Sequence, residues 1–155
     1  MTIDKCPYLF VYGSLRKGMP NAMAEWLEHQ ADWLETSFIK GQLFDIGDYP
    51  GAISIPDCTD KVWGDIYRMD DDLSCANILG QLDEFEECTE HFSIPHEYLR
   101  IKTPVFRSNG QSLEAWFYLY NRPVERFKRI TEGDYVEFKA AESGLADTGT
   151  VKCPP

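Results

Sequence analysis

Tyr98-Leu99-Arg100-Ile101-Lys102-Thr103-Pro104-Val105-Phe106, then Ser108-Asn109-Gly110-Gln111, then Leu113-Glu114-Ala115-Trp116-Phe117-Tyr118-Leu119-Tyr120, is the stretch that decides the fold class. Asn-Gly between two aromatic and β-branched runs is the strongest short hairpin signal, because both residues tolerate the positive φ of a tight turn. An antiparallel hairpin this late in the chain argues against a doubly wound βαβ protein.

Working outward, Pro7 to Tyr12 reads as a buried strand, and Gly13-Ser14-Leu15-Arg16-Lys17-Gly18 ends it abruptly. A helix is expected from Asn21, as N-cap, to Leu34, with Met23, Trp26, Leu27 and Leu34 at helical spacing. Short strands follow over Ser37–Phe44, Ala52–Ile55 and Lys61–Arg68, separated by Gly47-Asp48-Tyr49-Pro50-Gly51 and by Pro56-Asp57-Cys58-Thr59-Asp60. Asp70-Asp71-Asp72 marks a helix start, since carboxylates suit the positive end of the dipole, and Leu73, Ala76, Leu79 and Leu82 carry that helix to Phe85. After Gly133-Asp134-Tyr135-Val136 the end beyond Ser143 reads as weakly structured. Six or seven strands with two or three helices predict an α+β fold, a curled antiparallel or mixed sheet with helices beside it.

The chain has 155 residues and no linker or repeat, so one domain over 1–155 is expected. Its net charge of -11 argues against nucleic acid or an anionic membrane as partner, both of which need positive surface. No apolar run reaches the ~20 residues of a membrane span. The first residues lack a signal peptide's apolar stretch. Cys6, Cys58, Cys75, Cys88 and Cys153 are scattered and odd in number, which favours reduced thiols and a cytoplasmic location over a disulfide framework. Oligomeric state is not legible.

Three segments can carry chemistry. Tyr12-Gly13-Ser14-Leu15 reads either as a tight turn or as a turn whose backbone N–H groups converge on an anion. Leu82-Asp83-Glu84-Phe85-Glu86 puts Asp83 and Glu86 on one helix face beside apolar side chains. That is either a solvated acidic helix end or a desolvated carboxylate whose raised pKa suits proton transfer. Tyr98 and Arg100 share one strand face, as do Trp116, Tyr118 and Tyr120, to line a polar pocket or simply to pack. Cys88-x-x-His91-x-x-x-x-His96 matches no common zinc spacing, and no metal is expected. Ser14 lacks the Gly-x-Ser-x-Gly elbow of a hydrolase.

In order, Phe10-Val11-Tyr12-Gly13-Ser14-Leu15-Arg16, Gly41-Gln42-Leu43-Phe44 with Asp48-Tyr49-Pro50-Gly51, Gly64-Asp65-Ile66-Tyr67, Leu82 to Glu86, and Tyr98-Leu99-Arg100 before an aromatic strand resemble the gamma-glutamylcyclotransferase-like superfamily, which includes the gamma-glutamylamine cyclotransferases and their bacterial relatives. The resemblance spans roughly residues 8 to 120. It implies a small distorted β-barrel with flanking helices. It also implies release of 5-oxoproline from a small γ-glutamyl compound, without metal or organic cofactor. By resemblance Glu86 is the catalytic acid and base. Tyr12, Gly13, Ser14, Leu15, Tyr49, Tyr98 and Tyr118 bind substrate, with Asp83 and Arg100 supporting them. The alternative is a non-catalytic module that binds a small ligand in the same pocket. A sugar hydrolase using Asp83 and Glu86 is disfavoured, because carboxylates one helical turn apart do not flank a bond from opposite sides. The chain departs from many relatives in carrying Glu87 where they have glycine. Its stretch from Glu86 to Tyr98 is longer than in shorter relatives and is expected to form a lid or rim that alters substrate choice.

Overall fold

The computed structural model describes residues 6–147. Seven strands and three helices are found among them. They are β1 (Tyr8–Val11), α1 (Ala22–Gln30), β2 (Asp32–Asp45), β3 (Pro50–Ser54), β4 (Lys61–Arg68), α2 (Asp72–Phe85), β5 (Tyr98–Phe106), β6 (Ser112–Tyr120), β7 (Lys128–Ile130) and α3 (Tyr135–Asp147). The fold is α+β.

Five of the strands close a ring in the order β1-β4-β2-β3-β6 and back to β1. The β1–β4, β4–β2 and β2–β3 joints are antiparallel, and β3–β6 and β6–β1 are parallel. Three reversals is an odd number, which straight strands cannot satisfy around a ring, so the barrel is necessarily distorted. The parallel joints are correspondingly thin, with Ala52 opposite Leu119 and Leu9 opposite Trp116 as their single register pairs. β2 pairs with β4 as far as Lys40 and with β3 from Gly41 onward. A Cβ on Gly41 would stand 2.0 Å from the Ile53 carbonyl oxygen, so only glycine fits at this change of partner. β5 lies outside the ring on β6, and β7 pairs with β2.

Alternation along β1 divides the core. Leu9 and Val11 face the helices, packing with Leu27 of α1 and Ile78, Leu79 and Leu82 of α2. Phe10 and Tyr12 face the barrel interior with Ile39, Val62, Ile66 and Phe117.

Four expectations need correction. The first helix ends at Gln30, not Leu34, because Ala31 turns extended and Asp32 and Trp33 pair with Arg68 and Tyr67. The seven-residue interval from Leu27 to Leu34 fits helical spacing, yet Leu34 belongs to a strand that starts five residues before the expected Ser37. Pro50 and Gly51 lie inside β3 rather than in the turn before it. β7, only three residues long, was not foreseen. The supposed weak end begins inside α3, which runs to Asp147; Cys153, in the tail, lies outside the described residues. Cys58, Cys75 and Cys88 are free thiols. No helix among the described residues is long and apolar enough to cross a membrane.

Candidate active site

A cavity of about 350 Å³ opens beside the end of β1. Its wall brings together the turn Gly13-Ser14-Leu15, the α2 terminus at Phe85 and Glu86, Tyr98 of β5 and Tyr118 of β6. Tyr12, Tyr49, Asp48 and Glu97 complete it. Every residue expected to bind substrate therefore lines this one cavity, with Glu86, although as much as 106 residues separate Tyr12 from Tyr118.

The turn after β1 is closed by the Arg16 N–H donating to the Gly13 carbonyl at 3.1 Å. The Ser14 carbonyl accepts from Asn21 Nδ2 at 2.8 Å. No partner takes the N–H groups of Ser14 and Leu15 among the described residues. Two adjacent free donors at a concave wall can seat an anion. Gly13 is required here for space, since a Cβ would meet Pro50 Cγ at 2.7 Å.

Arg16 fastens this turn from behind, a role the sequence did not suggest. It is 7% exposed and donates through Nε to Asp65 at 3.1 Å and through Nη1 to Asp134 at 3.0 Å. Asp65 also accepts the Lys17 N–H, the Trp33 indole N–H and the Thr36 hydroxyl. A buried carboxylate with four donors is fully satisfied, and it ties the turn to β4 and β2. The Gly64-Asp65 match was the available signal, but its partner lies 49 residues away.

Glu86 is the C-cap of α2, its N–H bonded to the Leu82 carbonyl at 2.8 Å. Its carboxyl is pushed up to about 7 from an ordinary 4.5, chiefly by burial, then by the charges of Glu97, Asp83 and Glu87. The negative end of the helix dipole acts in the same sense. A carboxyl poised near neutrality can both take and return a proton.

Asp83 is not a second free carboxylate. Arg100 grips it with both prongs, Nε to Oδ1 at 2.8 Å and Nη2 to Oδ2 at 3.1 Å. The Tyr118 hydroxyl donates to the same Oδ1 at 2.7 Å. Arg100 in turn lies over the Trp116 ring, 4.4 Å from its centroid. This assembly sets the end of α2 against the β5–β6 hairpin.

The other tyrosines are equally committed. The Tyr12 hydroxyl donates to the Tyr118 carbonyl at 2.7 Å and accepts the Ala52 N–H at 3.1 Å. Tyr98 donates to the Pro50 carbonyl at 2.6 Å. Tyr49 donates to Glu97 at 2.7 Å. Burial holds the Tyr12, Tyr98 and Tyr118 phenols far above their usual range and Tyr49 near 12, so all four stay protonated donors. They shape the wall with their rings, and their hydroxyl protons are taken by acceptors within the protein.

Glu97 and Asp48 were missed by sequence reasoning. Asp48 belongs to the Asp48-Tyr49-Pro50-Gly51 match but was given no role, and Glu97 sits in a segment without periodicity; the folded cavity brings both to its wall. Among the described residues no group of three or more His, Cys, Asp or Glu side chains is placed to hold a metal ion.

The family described as "Gamma-glutamyl cyclotransferase, AIG2-like" matches residues 9–137, and the chain belongs to it. It is 32% identical over 131 residues to the gamma-glutamylcyclotransferase family protein YtfP of Escherichia coli K12, covering 83% of this chain and 96% of that one. It is 29% identical over 119 residues to gamma-glutamylaminecyclotransferase A of Danio rerio, covering 73% and 68%. The fold is shared with an AIG2-like protein from Mus musculus of known crystal structure, at a TM-score of 0.65 and 23% identity over 83% of this chain and 87% of that one.

Proposed function

We propose that the protein is a γ-glutamyl cyclotransferase that releases 5-oxoproline and a free amine from a small γ-glutamyl conjugate, with Glu86 as its proton relay. The observation that carries this reading is the shared cavity: free N–H groups at Ser14 and Leu15 on one wall, and a carboxyl shifted to about 7 at Glu86 on another.

The glutamyl head has an α-carboxylate and an α-ammonium on one carbon. The N–H groups of the turn hold the carboxylate, and Glu86 faces the ammonium. Glu86 takes a proton from the α-nitrogen, whose lone pair then attacks the γ-carbonyl carbon. The new C–N bond closes a five-membered ring. As the intermediate collapses the old amide C–N bond breaks, with Glu86 delivering the proton to the leaving nitrogen. Two protons leave the α-nitrogen and two reach the departing amine, so the reaction is proton-neutral. Because the step is intramolecular, holding the head in one conformation supplies much of the rate. The committed tyrosines act through rigidity, giving a shaped wall that does not rearrange when substrate enters.

The test is 5-oxoproline release from a panel of γ-glutamyl amines and peptides. Glu86→Gln keeps shape and hydrogen bonding but takes no proton at neutral pH. It is expected to lower kcat by ~10²–10⁴-fold. Retention of more than about a tenth of the wild-type kcat would remove Glu86 from the role. If no γ-glutamyl compound turns over but one binds, the protein is a binding module instead.

A further inference from the structure

The cavity has a carboxylate that the reaction just described does not use. Glu97 lies in the segment between α2 and β5, directly before Tyr98. Its Oε2 accepts the Tyr49 hydroxyl at 2.7 Å, and its carbonyl accepts the Asn121 N–H at 2.7 Å, so it is held from both ends. Its Oε1 has no partner, and no ion pair involves it among the described residues. Arg122 is near enough to act on Tyr49 and Tyr120, but makes no ion pair with Glu97. Among the described residues no Lys, Arg or His side chain lines the cavity.

Matching charges in the bound complex leaves Glu97 over. The head's carboxylate goes to the N–H groups of Ser14 and Leu15, and its single ammonium goes to Glu86. The leaving amine must extend away from both, toward the mouth where Tyr49 is 38% exposed and where Glu97 stands on the wall. Glu97 and Glu86 line the same cavity, and after burial the charge of Glu97 is the largest influence raising the Glu86 carboxyl. A like-charge pair in a pocket walled by Phe10, Phe85 and tyrosine rings is relieved by a cation between them.

We infer that the cavity is selective for γ-glutamyl conjugates whose leaving amine carries a second positive charge, with Glu97, braced by Tyr49, as the residue that reads it. The inference rests on the cyclotransferase reading above and names its substrate class. Asp48 and Glu87, also on the wall, add to the same field. A conjugate ending in a carboxylate is repelled by it.

Three probes of matched length separate charge from shape: γ-glutamyl-1,3-diaminopropane, γ-glutamyl-n-butylamine and γ-glutamyl-4-aminobutyrate. Release of 5-oxoproline from each is measured at a pH where Glu86 is ionised. Wild type is expected to favour the diamine over the butylamine conjugate by about tenfold or more in kcat/KM, the scale of a hydrogen bond to a charged group. The carboxylate probe comes last. Glu97→Gln is expected to cut the diamine-to-butylamine ratio by about the same factor, and Glu97→Lys to favour the aminobutyrate conjugate. Tyr49→Phe, which removes only the brace, reduces the ratio by less. A merely structural Glu97 would change all three rates together and leave the ratio alone. A wild-type ratio within about twofold of unity, or one that Glu97→Gln does not move, overturns the inference while leaving cyclotransferase activity standing. If none of the three is turned over, the wider panel of γ-glutamyl amines and peptides decides the catalytic reading. Calorimetric binding of the same probes then decides the charge preference separately: equal affinity for diamine and butylamine conjugates overturns it, and tighter binding of the diamine conjugate upholds it.

Discussion

The raised carboxyl of Glu86 costs the folded protein stability as pH rises. Below pH 4.5 the carboxyl is protonated in the folded and unfolded chains alike. Between 4.5 and about 7 the unfolded chain has lost the proton and the folded protein still holds it. Stability therefore falls as pH rises through this window, and above about 7 the penalty is complete. Glu86→Gln removes the charge, so the variant is expected to be more stable than wild type at pH 8, on the order of 3 kcal/mol, with the gap closing toward pH 4.5. Thermal midpoints of both proteins across this range give the measurement. A gap that does not change with pH means that Glu86 keeps an ordinary pKa. If Glu86 is the proton relay proposed above, kcat/KM is expected to rise with pH through about 7.

At the scale of elements, α2 ends in a Schellman motif. The Glu87 N–H bonds to the Glu84 carbonyl at 3.1 Å and the Cys88 N–H to the Asp83 carbonyl at 3.0 Å. This closure puts Glu87 at φ 60°, a left-handed position that favours glycine. Glu87→Gly is expected to stabilise the protein by about 1 kcal/mol, read by urea denaturation. It also removes one of the charges that raise Glu86, so the pH inflection of kcat/KM moves down. Loss of stability on this substitution would show that the Glu87 side chain contributes more than its backbone costs. The start of α2 was legible in the sequence, because Asp71 is an N-cap whose side chain accepts the Ser74 N–H. The hairpin was legible from Asn109-Gly110, and β4 from its composition. The beginning of β2 was not, since a seven-residue spacing of apolar residues suits helix and strand alike. β7 has three residues and no alternation to read. In the site, Glu86 and the Gly13 turn were reached only through an ordered set of motifs. Glu97, Asp48 and the Arg16 anchorage depend on contacts between segments distant in sequence, which no local pattern encodes.

For the whole molecule, ring closure depends on a side chain. β3 and β6 share the single register pair Ala52–Leu119. Next to it the Tyr12 hydroxyl accepts from the Ala52 N–H and donates to the Tyr118 carbonyl, standing in for a rung between the two strands. Tyr12 thus closes the barrel as well as lining its cavity. Tyr12→Phe keeps the ring but leaves a buried donor and a buried acceptor unpaired, which is expected to cost about 2 kcal/mol or more in urea denaturation. A loss below about 0.5 kcal/mol, the range of surface changes, would mean that the seam holds without the phenol.

The Arg16 anchorage also has a consequence in time. During translation the turn Gly13–Leu15 leaves the ribosome long before both of its fastenings exist. Asp65 comes 49 residues after Arg16 and Asp134 comes 118 after it. At ~5–20 residues/s, the second carboxylate arrives roughly 6–24 s after the arginine it receives. A nascent chain that already contains Glu86, and every other residue proposed for the reaction, still lacks one of the two clasps on its anion seat. The proposed seat is therefore fastened on both sides only late in synthesis, when the residue just before α3 reaches Arg16.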